Sequence, residues 1–241
     1  MAEKNNKFGF LLTAQVKDTR PRGDKHEAEY CLDLVRHLGV DARDLTLSIS
    51  IKQTHEDWVQ QFLNDSGVAA SGQLIAVHPG ASCISKRWPA KNFAALMNAV
   101  TEKYPFNIVL IGNSSNRFIA DEIKQAVPRP VIDAVGKTSV GQLASLLKRC
   151  ALLVSNDSGP VHVASAVGTP VISIFGRNQA GLSPARWRPL GKDAMVFHKE
   201  VGCGVCLAHN CAIGFLCLEK ITPGEVMEAV TALLSSNNRM P

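Results

Sequence analysis

The sequence predicts an α/β protein in which a Rossmann-like, doubly wound parallel sheet occupies most of the chain. From residue 70 onward, short apolar runs alternate with amphipathic segments, the order that places parallel strands between crossover helices. The apolar runs are also continuous rather than alternating. This pattern is expected of strands whose two faces are both covered by helices.

Each predicted strand is a short apolar run followed by a polar turn, and the five runs are 74–78, 107–112, 131–133, 151–156 and 170–176. Helical periodicity falls between them, at 92–103, 116–126, 139–149 and 160–167. A last helix, "TPGEVMEAVTALLSS", opens with Thr222 as N-cap and Glu225 at the capping-box position.

Before residue 70 the pattern is different. "GDKHEAEYCLDLVRHLGV" predicts an amphipathic helix that ends before Gly39, and "HEDWVQQFLNDSG" predicts another that ends before Gly67. One weak strand, "LTLSIS", lies between them. This front segment is too poor in strands for a complete α/β domain, so we divide the chain into 1–69 and 70–241.

Composition and charge exclude several classes of protein. The 241 residues are 46% hydrophobic and 20% charged, as in water-soluble globular proteins, and no apolar run reaches the ~18–20 residues that span a bilayer. The amino-terminal apolar patch is too short for a secretory signal, which predicts a cytoplasmic protein. The net charge of +5 is spread along the chain, so it favours an anionic ligand or membrane surface over nucleic acid.

The stretch "SNDSGPVHVASAVGTPVISIFG" carries the most chemistry. A predicted strand ends at Asp157, Ser158 and Gly159, and a proline then starts a helix whose free N–H groups suit a phosphate. His162 follows near the same helix end. Taken alone, Asp157 or Ser158 would cap the helix as readily as bind a ligand, and a lone histidine is more often a structural hydrogen-bonding group.

Two other strand ends are followed by polar turns. "HPGASCISKRWP" carries Ser82, Lys86 and Arg87, and lysine is a compact charge suited to phosphate oxygens. For Arg87, a solvated basic loop is an equal alternative. "IGNSSNRF" carries Asn113 and Asn116, suited to ribose hydroxyls or to capping the next helix.

Ligands of doubly wound sheets bind beyond the carboxyl ends of the strands, so these turns predict one crevice. It contains no Walker A loop, and no GxGxxG follows a strand. A nucleotide diphosphate that carries a sugar therefore fits better than ATP hydrolysis or dinucleotide redox chemistry.

The combination of "HPGAS", "SKRWP", "VLIGNSSNRF" and "SNDSGPVHVASAVGTPVISIFG" resembles the carboxyl-terminal half of the family 9 glycosyltransferases, the lipopolysaccharide heptosyltransferases. The likeness runs from about residue 73 to the end, and "KHEAEYCLDLVRHLGV" is similar to that family's interdomain region. The most specific part is the spacing D-[ST]-G-x-x-H-x-A-x-A-x-G-x-P, which here runs from Asp157 to Pro170.

The resemblance implies a GT-B protein with two Rossmann-like domains, of which the second binds the nucleotide sugar and the first binds the acceptor lipid. Residues 70–241 would be the carboxyl-terminal, nucleotide-sugar-binding domain, and 1–69 a remnant of the acceptor domain with the interdomain helices. The implied reaction transfers a sugar, heptose in the family, from a nucleotide diphosphate, ADP in the family, to a lipopolysaccharide core acceptor. It implies work at the cytoplasmic face of the inner membrane, with peripheral contact.

Matching motifs carry the family's donor-binding residues onto this chain. By this match, Ser82 and Lys86 would contact the donor's phosphates, and Asp157 would contact the sugar hydroxyls. The start of the following helix would close around the pyrophosphate, and the third turn would contact the nucleoside. No metal or other cofactor is required by this scheme, because the lysine and the helix end supply positive charge. The implied set is Ser82, Lys86, Asn113, Asn116, Asp157, Ser158, Gly159 and His162.

The family's catalytic base lies in a part of the first domain that this sequence does not match. Asp24, Glu27 and Asp33 fall on the interdomain helix, so no base is nominated. The alternative function is therefore a truncated donor-binding module without independent catalysis, which would act as a fragment or with another polypeptide.

Four of the seven cysteines cluster in "CGVCLAHNCAIGFLC", and an odd total does not indicate a disulfide framework. Thiolates at this spacing could hold zinc or an iron–sulfur cluster, which gives a zinc or redox protein as a third hypothesis. Similar cysteines occur at this place in many family 9 sequences, and the resemblance therefore favours a structural loop with free thiols. The four are Cys203, Cys206, Cys211 and Cys217.

Overall fold

The computed structural model describes residues 13, 16–41, 43–69, 72–203, 206 and 208–236. Its six strands form one parallel sheet in the order β3-β2-β1-β4-β5-β6. This order confirms the predicted doubly wound sheet, and it places the switch point between β1 and β4. The strands are β1 (Leu74–His78), β2 (Asn107–Leu110), β3 (Ile132–Asp133), β4 (Cys150–Asn156), β5 (Val171–Ile174) and β6 (Ala194–Phe197).

Helices cover both faces of the sheet, because successive strand side chains point to opposite sides. In β1, Ile75 and Val77 pack into one apolar cluster, whereas Leu74 and Ala76 pack into the other. The helices are α1 (Glu27–Arg36), α2 (Gln53–Asp65), α3 (Ala90–Lys103), α4 (Arg117–Ala126), α5 (Val140–Lys148), α6 (Gly159–Ala166), α7 (Pro184–Trp187), α8 (Leu216–Glu219) and α9 (Pro223–Ser236). Helices α3, α4 and α9 cover the first face, and α2, α5 and α6 cover the second.

The predicted helix boundaries depend on local chemistry, and the structure confirms them closely. Gly39 and Gly67 follow α1 and α2 with φ of +86° and +74°, a conformation that glycine adopts without strain. At the start of α9, Glu225 N–H donates to Thr222 Oγ1 and Thr222 N–H donates to the Glu225 carboxylate, at 3.3 and 3.0 Å. This is the predicted capping box.

Two strand assignments are corrected. Residues 45–50, "LTLSIS", alternate between half-buried and exposed positions but pair with no strand in the part of the chain that the structure describes. Strand β6, "AMVF", was not predicted, since its four half-buried residues give a weak signal by themselves. It forms because β5 offers it a free edge.

The front segment packs directly onto the sheet domain. In α2, Val59 and Leu63 are buried in the cluster that also contains α5 and α6. In α1, Glu27 pairs with Arg186 at 2.6 Å, and the adjacent His26 Nε2 lies 2.8 Å from the Arg188 carbonyl oxygen. The division into 1–69 and 70–241, and the identity of the sheet as a carboxyl-terminal domain, stay predictions.

No helix among the described residues is long and apolar enough to cross a membrane. The predicted absence of a secretory signal concerns residues 1–12, which lie outside the described residues.

His78 closes β1 and is buried where β1 meets β4. Its Nδ1 lies 3.1 Å from Ser155 Oγ, and that hydroxyl donates to the Asn156 carbonyl at 2.7 Å. Ser155 therefore accepts from the ring, which places a proton on Nδ1. Burial lowers the pKa of His78 from 6.5 to about 4.

We expect His78 to lower the free energy of unfolding as pH falls from about 6.5 to about 4. In that pH range His78 binds a proton in the unfolded chain but stays unprotonated in the folded chain. The full effect for one such group is roughly 3 kcal/mol. Urea unfolding of His78→Asn between pH 7 and pH 4.5 should show a flatter loss of stability than the wild type. His37→Asn, at an exposed position, should retain the wild-type slope. Equal slopes in all three proteins would contradict this assignment.

Candidate functional site

The turns after β1 and β4 meet at the switch point of the sheet. Lys86 Nζ lies 2.8 Å from the Asp157 carboxylate, and the same ammonium lies 3.3 Å from the Asp157 carbonyl oxygen. Both side chains are largely buried, at 17% and 6% exposure. The structure thus brings together the lysine and the aspartate that the sequence placed in separate turns.

Asn156 holds these two turns in register. Its Oδ1 accepts from the Trp88 backbone N–H at 2.9 Å, and its Nδ2 donates to the Pro79 carbonyl at 2.8 Å. Trp88 itself is buried, packs edge-on against Phe93 and donates from Nε1 to the Ile221 carbonyl. The sequence analysis did not assign this role to Asn156, although a polar residue that ends a buried apolar strand is the signal for it.

The start of α6 faces the crevice without being capped by a side chain. Ser158 occupies the N-cap position in an extended conformation, and its hydroxyl makes no capping hydrogen bond. A Cβ built on Gly159 would have nothing within 4 Å. The helix end therefore presents backbone N–H groups beside open space, the arrangement that favours an anion.

His162 lies one turn into α6, half-buried near the ion pair. Burial lowers its pKa, and the charge of His26 lowers it further, whereas Asp157 acts in the opposite direction. The imidazole is therefore biased towards its neutral form. It lies close enough to Asp157 and Lys86 to respond to their charges.

The turn after β2 is organised by its own side chains. Asn113 Oδ1 accepts from Ser115 Oγ and from Asn116 Nδ2, both at 2.8 Å. Arg87 donates to the Ala81 carbonyl at 3.1 Å within its own turn, and the same guanidinium lies 3.4 Å from Asn116 Oδ1. These contacts join the turns after β1 and β2, and the two roles considered for Arg87 in the sequence analysis stay predictions. Ser82 is exposed on the neighbouring loop.

Arg177 is a site residue that the sequence analysis missed. It follows β5 at the same edge of the sheet, is 8% exposed, and approaches the Asp157 carboxylate to 3.8 Å. Asp157 thus faces two cations, Lys86 and Arg177, and one positive charge is left in excess. The sequence feature that could have identified Arg177 is a cation directly after an apolar strand.

The four clustered cysteines line one cavity of about 610 Å³, together with Arg177. The Cys217 thiol donates to the Gly176 carbonyl at 2.9 Å, and burial raises its pKa, so it is held as a thiol. Among the residues that the structure describes, no three histidine, cysteine or acidic side chains are grouped so that they could hold a metal ion.

The acidic residues of the front segment are engaged elsewhere. Asp24 accepts from the Tyr30 hydroxyl at 2.5 Å, and Asp33 pairs with Lys25 at 2.7 Å. Glu27 pairs with Arg186. None of these contacts points to a base, so the catalytic base stays unassigned.

Comparison with known proteins identifies a family. A family model described as glycosyltransferase family 9 (heptosyltransferase) matches residues 7–216. Lipooligosaccharide heptosyltransferase 2 of Haemophilus influenzae is 29% identical over 144 residues, covering 57% of this chain and 40% of that protein. Lipopolysaccharide heptosyltransferase 2 of Escherichia coli K12 is 28% identical over 177 residues, covering 71% and 49%. The chain spans about half the length of these relatives, or less.

Solved structures agree with this result. E. coli ADP-heptose lipopolysaccharide heptosyltransferase II superposes with a TM-score of 0.65 at 26% identity, covering 79% of this chain and 54% of that one. A family 9 glycosyltransferase from Veillonella parvula gives a TM-score of 0.79 at 24% identity, covering 95% and 65%. At 24% identity, the match to the Veillonella parvula structure shows the fold alone.

Gly176 allows the loop that carries Lys86 to approach β5. A Cβ at this position would lie 2.5 Å from the Ser85 carbonyl oxygen and 2.8 Å from Leu218 Cγ. Because one of these atoms is backbone, we expect Gly176→Ala to lower the free energy of unfolding by about 1–3 kcal/mol. Gly224→Ala is the control, since the nearest atom to its Cβ is 3.9 Å away. Chemical denaturation measures the free energy of unfolding of both variants. If Gly176→Ala is as stable as Gly224→Ala, the loop moves to accommodate the methyl group at little cost.

Proposed function

This chain belongs to glycosyltransferase family 9, and we propose that it is a heptosyltransferase-type enzyme that binds a nucleotide diphosphate sugar at the switch point of its sheet. The observation that carries this proposal is the buried Lys86–Asp157 pair at the open amino-terminal end of α6. One relative of known structure is described as an ADP-heptose lipopolysaccharide heptosyltransferase, which supports ADP-heptose as the donor.

In the proposed complex the diphosphate lies between Lys86 and the first N–H groups of α6. Asp157 holds the ammonium in place before the donor arrives, so little reorganisation is needed on binding. The same cation and helix end then stabilise the negative charge that builds up on the departing diphosphate. This scheme needs no metal ion.

The other carried-over residues complete the proposed donor site. Asp157 would accept hydrogen bonds from sugar hydroxyls through the carboxylate oxygen that Lys86 leaves free. Ser158, Gly159 and His162 would surround the diphosphate, with Ser82 at its outer side. The turn that contains Asn113 and Asn116 would contact the nucleoside.

The proposed acceptor is a lipid-linked lipopolysaccharide core oligosaccharide, and the relatives named lipooligosaccharide and lipopolysaccharide heptosyltransferase support an acceptor of this class. This assigns the protein to the cytoplasm, with peripheral contact to the inner membrane, and to a GT-B arrangement in which residues 70–241 form the donor domain.

A second proposal is a donor-binding module without independent catalysis. The observation favouring it is that Asp24, Glu27 and Asp33 are all held in other contacts.

Calorimetric titration of the chain with ADP, UDP, GDP and ADP-heptose tests the donor class. We expect selective binding of the adenine nucleotides, and we expect Lys86→Met to weaken it by about 1–3 kcal/mol, the range of a charge-assisted contact. Lys91→Met removes a lysine that is 72% exposed and should leave binding unchanged. Folded wild-type protein that binds none of the four would refute the donor assignment, and undiminished binding by Lys86→Met would remove that residue from the site.

Gly159→Ala separates ligand approach from fold stability. The added methyl group enters open space, and alanine is favoured over glycine in a helix, so stability should be retained. ADP affinity should fall about tenfold, because the methyl group occupies the space through which a phosphate reaches the helix end. A thermal melt and a titration on the same sample measure both quantities. Unchanged affinity would exclude close phosphate contact at this position.

A further inference from the structure

The cavity of about 610 Å³ beside the proposed donor site has features that donor binding at α6 does not use. It is lined by residues that follow β5 and β6 and by the four clustered cysteines. Pockets of this volume accept small organic ligands. Two side chains in its wall, Arg177 and His198, carry buried polar atoms that have no partner.

Arg177 is the stronger of these two observations. Its Nε is buried without a hydrogen-bond partner, and the guanidinium donates no hydrogen bond to any residue that the structure describes. Its nearest carboxylate, Asp157, is 3.8 Å away, beyond hydrogen-bond length, and is already paired with Lys86 at 2.8 Å. A guanidinium stays charged, and burying it without acceptors is costly. Such a group fits a bound oxyanion, which it can grip through two parallel N–H bonds.

The other charges around the cavity do not supply this partner. Lys199 is a cation and is paired with Glu225, and Glu200 is exposed. The thiol of Cys217 already donates to the Gly176 carbonyl. The wall therefore keeps an excess of positive charge at Arg177.

His198 adds a hydrogen-bond acceptor. Its Nδ1 lies 3.2 Å from the Phe175 carbonyl oxygen, and because a carbonyl can only accept, Nδ1 carries the proton. In the neutral ring Nε2 is then an acceptor, and it is buried without a partner. A hydroxyl group on a ligand would satisfy it.

We propose that this cavity binds a sugar that carries an oxyanion, either phosphate or carboxylate, with Arg177 gripping the oxyanion and His198 Nε2 accepting from a hydroxyl. The inference deepens the proposed function, on which it rests for the sugar, by naming the chemistry of a second substrate pocket. The sugar belongs to the acceptor, as an acidic or phosphorylated residue, because the donor's diphosphate is already assigned to Lys86 and the start of α6.

The test uses the full chain with ADP present and, as probes, glucose 6-phosphate, glucuronate and glucose. We expect the two anionic sugars to bind and glucose to fail. Arg177→Gln should weaken glucose 6-phosphate binding at least tenfold while changing ADP affinity less than twofold. Arg129→Gln removes an exposed arginine elsewhere and should behave as the wild type. Equal binding of glucose and glucose 6-phosphate, or undiminished binding by Arg177→Gln, would overturn the proposal.

Two further measurements make the result specific. Since Arg177 lacks good partners, its replacement should leave the melting temperature unchanged or raise it, whereas a structural role with Asp157 would lower it. Arg177→Lys keeps the positive charge but loses the two parallel N–H donors of the guanidinium. This variant should fold normally and bind glucose 6-phosphate less tightly than the wild type. Binding equal to the wild type would contradict bidentate recognition.

Separate titrations distinguish the source of the sugar and the failure of each proposal. If Arg177→Gln weakens only glucose 6-phosphate added to saturating ADP-heptose, the cavity holds an acceptor group, as proposed. If it weakens ADP-heptose more than ADP, the cavity holds the donor sugar and the proposal is overturned. Absence of ADP binding with intact glucose 6-phosphate binding would refute the donor assignment alone, and the reverse would refute the pocket alone.

Discussion

The buried ion pair between Lys86 and Asp157 is the interaction on which the crevice depends. It joins the turns that follow β1 and β4, the two strands between which the direction of winding reverses. Removing one partner of a buried pair leaves an uncompensated charge and typically costs about 3–5 kcal/mol, far more than an exposed pair contributes. The polar contacts of Asn156 brace the same two turns, so the geometry of the charges is set by backbone that is itself held in place. A crevice built in this way is preformed for an anion.

Much of the fold could be predicted from the sequence because its signals are local. Continuous apolar runs identified strands β1 to β5, and the Thr222–Glu225 capping box and the glycines after α1 and α2 fixed helix ends. The rule that parallel strands end at one edge was enough to place Lys86 near Asp157. Both residues lie in turns directly after strongly apolar strands.

What could not be predicted depends on partners far apart in the chain. Arg177 follows a strand like the other site residues, but its importance comes from the missing hydrogen bonds around its guanidinium, and no sequence pattern reports those. The four residues of β6 become a strand only because β5 lies beside them, and residues 45–50 show the converse, an alternating pattern without a pairing edge. The cysteine spacing left a metal centre open beside the favoured loop with free thiols, and the described geometry gives Cys217 a carbonyl partner.

The two outermost strands of the sheet are its shortest or nearly so: β3 has two residues and β6 has four. A sheet edge exposes unpaired N–H and C=O groups to which another chain can add a strand, and short edges limit the length of that ladder. Within β3, Asp133 pairs with Arg117 and Lys124, so charged side chains crowd this border. The short length that weakened the sequence signal of β6 therefore also limits, at both borders of the sheet, the edge-to-edge pairing that leads to aggregation.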